Sequence, residues 1–132
     1  MLIYLWLGIG GGLGTIARYV ANGIVSRHFG ETFPLGTLLI NVTGSFIIGF
    51  FATLTSPDGR WLVGPTFRTF FMIGLCGGYT TFSSFSLETL ALARDGEWFK
   101  AGTNAMLSFA LCLMAVWLGH FLAANINSTK GH

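Results

Sequence analysis

GLCGGYTTFSSFS, residues 74–86, sits inside a segment that otherwise reads as a membrane span. It places two helix-weakening glycines, a run of hydroxyl residues and a pair of phenylalanines where plain apolar side chains would suffice. The surrounding charge pattern sets its depth. No Asp, Glu, Lys or Arg occurs in residues 69–87, and the same holds for 1–17, 32–57 and 101–129. A bilayer core needs about 20 mostly apolar residues per helix, so the gaps predict four transmembrane helices, near 2–26, 34–54, 65–94 and 98–124. Overall, 52% of the residues are hydrophobic and 9% charged, against about a quarter charged in soluble globules. The expectation is a single all-α integral membrane domain over 1–132.

Working outward, a signal peptide does not fit the N-terminus, because no Lys or Arg precedes the apolar run and no polar domain follows it. Pro34 suits the start of the second helix, where a missing N–H costs nothing. TSPDGR and DGE read as turns, and the polar tail NINSTKGH as frayed. Cys76 and Cys112 fall inside spans and read as small apolar fillers, with no disulfide. The net charge of +2 is too small and dispersed to suggest nucleic acid.

Orientation is weakly specified. One side of the membrane receives Arg60, Arg68 and Lys130, and the other Arg27, Arg94 and Lys100, with Arg18 leaning the same way. Positive residues normally accumulate on the cytoplasmic side. Near balance fits either a weakly biased chain oriented by other factors or one that inserts both ways and pairs with an inverted copy. Four short helices enclose little space, so a pore would need a second subunit. Gly10/Gly14, Gly8/Gly12, Ser45/Gly49 and Gly74/Gly78 have the small-xxx-small spacing of close helix contacts; sequence does not say which lie within a subunit.

The middle of the charge-free run 69–87 is Gly78, so Gly77 and Gly78 fall near the bilayer centre. With Tyr79, Thr80 and Thr81 following, the third helix is expected to break near 77–80. Irregular backbone at that depth survives only when covered by protein or a polar cavity, and freed carbonyls there can hold a cation. The competing reading is a Gly/Thr kink used for packing alone. Beyond the break, Phe82 and Phe85 share a helix face, about 60° apart, and Thr81, Ser84 and Glu88 form a neighbouring polar strip. Glu88 is the one acid inside the predicted spans, and such a group is a functional candidate by default. Its place near the helix end leaves snorkelling open.

Asn41 lies about 10 Å along its helix from Pro34 and needs amide partners in lipid. Asn104, Ser108 and Cys112 share one face of the fourth helix. Arg18 lies in the last third of the first helix, where it can snorkel or face a vestibule. His28, His120 and His132 have no ligand spacing. Catalysis does not fit, since a Ser or Thr nucleophile needs a base within reach and the third helix has no His. A small dual-topology exporter coupled to protons is the rival reading, but it wants a deep carboxylate that the first helix lacks. The remaining neutral donors, including the positive edges of phenyl rings, suit a small anion. They bind without the permanent attraction that would trap it.

The stretch 74–86 closely resembles the GxxGGxTTFSTFS signature of the Fluc (CrcB) fluoride-channel family. GGGLGTIARY (10–19) looks like that family's glycine-rich first helix, and PLGTLLINVTGSFIIG (34–49) like its second. The resemblance spans nearly the whole chain. It implies an antiparallel, dual-topology homodimer in the inner membrane of a prokaryote, with two fluoride pathways and passive export of cytoplasmic fluoride. It implies a central structural Na+ on the backbone carbonyls of Gly77 and Thr80, and no organic cofactor. By the same resemblance Phe82 and Phe85 line the pathway, Asn41 faces fluoride, and Thr81, Ser84 and Glu88 form a polar track, with Ser108 contributed by the fourth helix. Ser84 replaces the signature's Thr and keeps the hydroxyl. Asn104 and Cys112 find no match in the family pattern.

Overall fold

The computed structural model describes residues 1–129; Lys130 and His132 lie outside them. The described residues are helical almost throughout, contain no strand, and form four rods. The first is α1 (Leu2–Phe29). Gly30 closes it at φ 78°, with its N–H on the Ser26 carbonyl at 2.8 Å, a conformation that glycine alone adopts without strain. The second is α2 (Leu35–Leu54), with Pro34 at its N-cap. The third is segmented into α3 (Pro65–Thr69), a π-helical segment (Phe70–Cys76), α4 (Gly77–Tyr79) and α5 (Phe82–Arg94). The fourth is α6 (Trp98–Ser128).

Within the third rod the non-helical residues differ from those expected. Gly77 is itself helical, at φ −64°, ψ −36°. The extended residues are Thr80 (φ −85°, ψ 161°) and Thr81 (φ −154°, ψ 118°). The glycines serve contact instead: a Cβ on Gly78 would strike the Gly11 backbone, and one on Gly14 the Leu75 carbonyl oxygen. Gly10 lies against the π-helical segment, where a Cβ would stand 3.0 Å from the Phe70 carbonyl oxygen and 3.1 Å from Leu75 N. The pairs Gly10/Gly14 and Gly74/Gly78 therefore face each other within one subunit. Among the described residues, nothing lies within 4 Å of a Cβ built on Gly8 or Gly12.

α2 packs chiefly on α6, while α1 covers the third rod. The α2–α6 seam is close for the same reason, since a Cβ on Gly49 would meet the Val116 carbonyl and one on Gly119 the Phe46 carbonyl. At one end, Phe51 stacks on Phe71 with centroids 4.1 Å apart, and Phe67 and Trp61 close around them. Arg68 donates to the Ala52 carbonyl at 3.0 Å and to Thr55 Oγ1 at 3.1 Å. The guanidinium thus satisfies one of the carbonyls that the end of α2 leaves free.

The tail expected to fray is helical through Ser128. Asn127 holds it: Nδ2 donates to the Thr53 carbonyl at 2.9 Å, and Oδ1 accepts from Arg60 N at 2.7 Å. By length and composition α2 (mean hydropathy 1.8) and α6 (2.0) are each able to cross a membrane. Outward-facing apolar side chains on α1 and α6, such as Ile16 and Trp117, stay more than half exposed.

Candidate functional site

The site is built where the third rod departs from helical geometry. Thr81 acts as N-cap of α5, its Oγ1 accepting from Ser84 N at 3.1 Å. A capping threonine satisfies one of the donors that every helix start leaves free. Thr80 turns back instead, its N–H and Oγ1 both donating to the Cys76 carbonyl at 3.0 Å. Gly44 of α2 makes room, since a Cβ there would strike the Thr80 methyl. Tyr79 Oη and Thr43 Oγ1 share a hydrogen bond of 2.9 Å across the same contact.

Two side chains from other helices take over backbone groups at this point. Asn41 Oδ1 accepts from Thr81 N at 2.8 Å while its Nδ2 donates to the Thr81 carbonyl at 2.9 Å. Arg18 Nε donates to the Gly78 carbonyl at 3.2 Å. In a continuous helix Thr81 N–H would serve the Gly77 carbonyl, and Ser84 N–H the Thr80 carbonyl. Both N–H groups are engaged elsewhere, by Asn41 and by Thr81 Oγ1. The Gly77 and Thr80 carbonyl oxygens therefore lose their helical donors.

Beside them opens a cleft of about 320 Å³, whose walls include Asn41, Thr80, Thr81, Phe82, Phe85 and Ser108. Gly77, Cys76 and Cys112 also reach it, and among the described residues no charged side chain does. Phe82 and Phe85 stand with centroids 5.3 Å apart at 50°, and Phe109 meets Phe85 edge-on at 6.4 Å. Phe85 is 7% exposed and Phe82 67%, so the inner ring is fixed by packing and the outer ring faces out of the subunit. Ser108 Oγ, in the cleft wall, is buried with no hydrogen-bond partner among the described residues.

Other residues singled out in the sequence lie elsewhere. Ser84 is held through its N–H and does not line the cleft. Glu88 belongs to a second cleft of about 390 Å³ with Asn22, Ser26, Glu31, Asp95 and Lys100, close to the α1–α2 and α5–α6 turns. Thr37 Oγ1 donates to Glu88 Oε2 at 3.0 Å, and Glu88 Oε1 is buried without a partner among the described residues. Arg18 contacts the irregular segment but lines neither cleft.

Three side chains that the sequence did not assign to the site touch its members. Thr37, which donates to Glu88, is the first. Asn104, 1% exposed, donates to Thr89 Oγ1 at 2.9 Å, and Thr89 donates to the Phe85 carbonyl at 2.8 Å. That chain ties α6 to the helix turn carrying Phe85. Cys112, expected as a small apolar filler, lines the same cleft as Ser108. The available signal was the i, i+4, i+8 spacing of Asn104, Ser108 and Cys112, which marks one face of α6.

The model of the family described as CrcB-like protein, Camphor Resistance (CrcB), matches residues 5–120. A protein of Opitutus terrae named fluoride-specific ion channel FluC is 60% identical over 131 residues, covering 99% of each chain. Proteins with the same name from Methylocella silvestris and Paramagnetospirillum magneticum are 58% and 56% identical, over 97% and 96% of this chain and 98% and 99% of their own. With a match spanning nearly all of its helical residues, this chain belongs to the CrcB-like protein family.

Proposed function

We propose that the chain is a fluoride-selective ion channel that lets cytoplasmic fluoride leave passively, down its electrochemical gradient. The observation that carries this is the uncharged cleft in which the Phe82–Phe85 pair, the Asn41 amide and the unpartnered Ser108 hydroxyl converge. Ring edges, an amide N–H and a hydroxyl each offer partial positive charge. Together they replace water around a small hard anion without holding it as a lysine would. Chloride is too large to be gripped by the same donors. Fluoride enters acid-exposed cells as the neutral acid and dissociates in the near-neutral cytoplasm; an anion leak under an inside-negative potential then expels it.

On this reading all four rods cross the inner membrane of a prokaryote, and the irregular turn at Thr80 and Thr81 lies near the bilayer centre. One wall of the cleft is supplied by an inverted second copy, which the outward-facing Phe82 and the balanced charges support. The carbonyl oxygens of Gly77 and Thr80 fit Na+, a hard cation that prefers oxygen ligands, because their helical donors are engaged elsewhere. Bound there, Na+ would supply a fixed positive charge at the centre of the dimer. Thr81, Ser84 and Glu88 are assigned the polar approach to the cleft, while Arg18, expected at a vestibule, stays with the irregular turn on the Gly78 carbonyl. The protein acts as a conduit and not as an enzyme. A proton-coupled exporter fits less well, because Glu88 lies outside the aromatic cleft.

Expression in a fluoride-hypersensitive bacterium lacking its own exporter tests the function. Growth in fluoride is expected to be restored, and restored resistance to cationic drugs without fluoride resistance would contradict the proposal.

A further inference from the structure

Asn41 does something that a residue serving only as an anion ligand would not do. Its carboxamide is committed at both ends to Thr81, accepting from the N–H at 2.8 Å and donating to the carbonyl at 2.9 Å. This arrangement has one orientation, because a peptide N–H only donates and a carbonyl only accepts. The extended conformation of Thr81, φ −154° and ψ 118°, makes it possible. In an extended residue N–H and C=O point to the same side, as in the closely spaced pairs of an antiparallel ladder. The side chain of Asn41 thus takes the place of a neighbouring strand inside a helical protein.

The consequence reaches the preceding residue. Thr81 N and the Thr80 carbonyl belong to one planar peptide, which is trans, so the N–H and C=O point in opposite directions. By fixing the N–H on α2, Asn41 fixes where the Thr80 carbonyl oxygen points. The same bond withholds Thr81 N–H from the Gly77 carbonyl. Arg18 occupies the intervening Gly78 carbonyl at 3.2 Å, so the Gly77 and Thr80 oxygens, like that of Tyr79, stand without their helical donors.

We propose that Asn41 is the positioning residue of the cation site, aiming the Thr80 carbonyl and freeing that of Gly77 through its two hydrogen bonds to Thr81. This rests on the reading of those carbonyls as Na+ ligands. One Nδ2 proton remains for the anion cleft that Asn41 lines, so a single side chain links the two ion sites. Thr81 can neither unwind further nor return to a helix without releasing Asn41.

The test is sodium-dependent stability of the purified protein in detergent, with NaCl exchanged for N-methyl-D-glucamine chloride. Wild type is expected to gain thermal stability as Na+ rises. Asn41→Ala is expected to need at least about tenfold more Na+ for the same gain, the equivalent of one lost hydrogen bond of about 1.4 kcal/mol. Asn41→Asp keeps an acceptor for Thr81 N–H but loses the donor to the Thr81 carbonyl, and its Na+ requirement is expected to fall between those of wild type and Asn41→Ala. An unchanged Na+ midpoint in Asn41→Ala would overturn the positioning role while leaving the cation site intact. Absence of any Na+ response in wild type would overturn the cation site and this proposal with it. Should Asn41→Ala not fold, amide exchange at Thr81 in wild type decides the matter. Protection comparable with α5 is expected, and fast exchange would refute the clamp.

Discussion

Phe82 and Phe85 share a face of α5 but not an environment. Phe85 is wedged between Phe82 and Phe109, whereas Phe82 is open to the outside of the subunit. Replacing either by Ile removes a ring edge from the cleft, so fluoride efflux from liposomes is expected to fall to background in both variants. Stability separates them. Phe85→Ile should cost about 1–2 kcal/mol from lost packing, and Phe82→Ile little, as thermal midpoints measured in detergent will show. Normal flux through both variants would remove the pair from the mechanism. The shared face was legible from 100° periodicity alone, and so was the need of Asn41 for partners in lipid. Its actual partner was not, because the Thr81 backbone becomes available only once α2 and the third rod are in register.

The third rod shows what glycine spacing says at the scale of an element. Gly14 and Gly78 admit the backbone of the facing rod, while Gly12, two residues from Gly14, meets nothing among the described residues of its own subunit. Gly14→Ala or Gly78→Ala therefore forces α1 and the third rod apart. The expected loss is about 1–3 kcal/mol, read as a lower thermal midpoint and a smaller folded fraction on size exclusion. Gly12→Ala is expected to leave the subunit folded, and an equal loss at all three positions would contradict this packing. The spacing of these glycines could be read from the sequence, but not their pairing. FFMIGLC carries no mark of a π-helix, being an ordinary apolar run. Its wider turn lies against α1 at Gly10, a contact between segments far apart in sequence.

At the scale of the whole molecule, the charge gaps made the four helical rods legible before any coordinates. They fell short at the C-terminus, where Asn127 and Arg60 hold together a helical turn that its polar composition suggested would fray. The near balance of Lys and Arg between the two sides leads to a further expectation. Reporter tags on either terminus should reveal both orientations in the membrane, and adding three lysines to one loop should fix a single one and abolish flux when expressed alone. One fixed orientation in the unaltered chain would contradict the inverted pair. The central claim is that the molecule conducts fluoride, and purified protein in liposomes loaded with fluoride tests it most directly. With a fluoride electrode outside and valinomycin to set the potential, rapid fluoride efflux is expected, with no matching efflux from chloride-loaded vesicles. Fluoride retention, or chloride efflux at the same rate, would contradict the account.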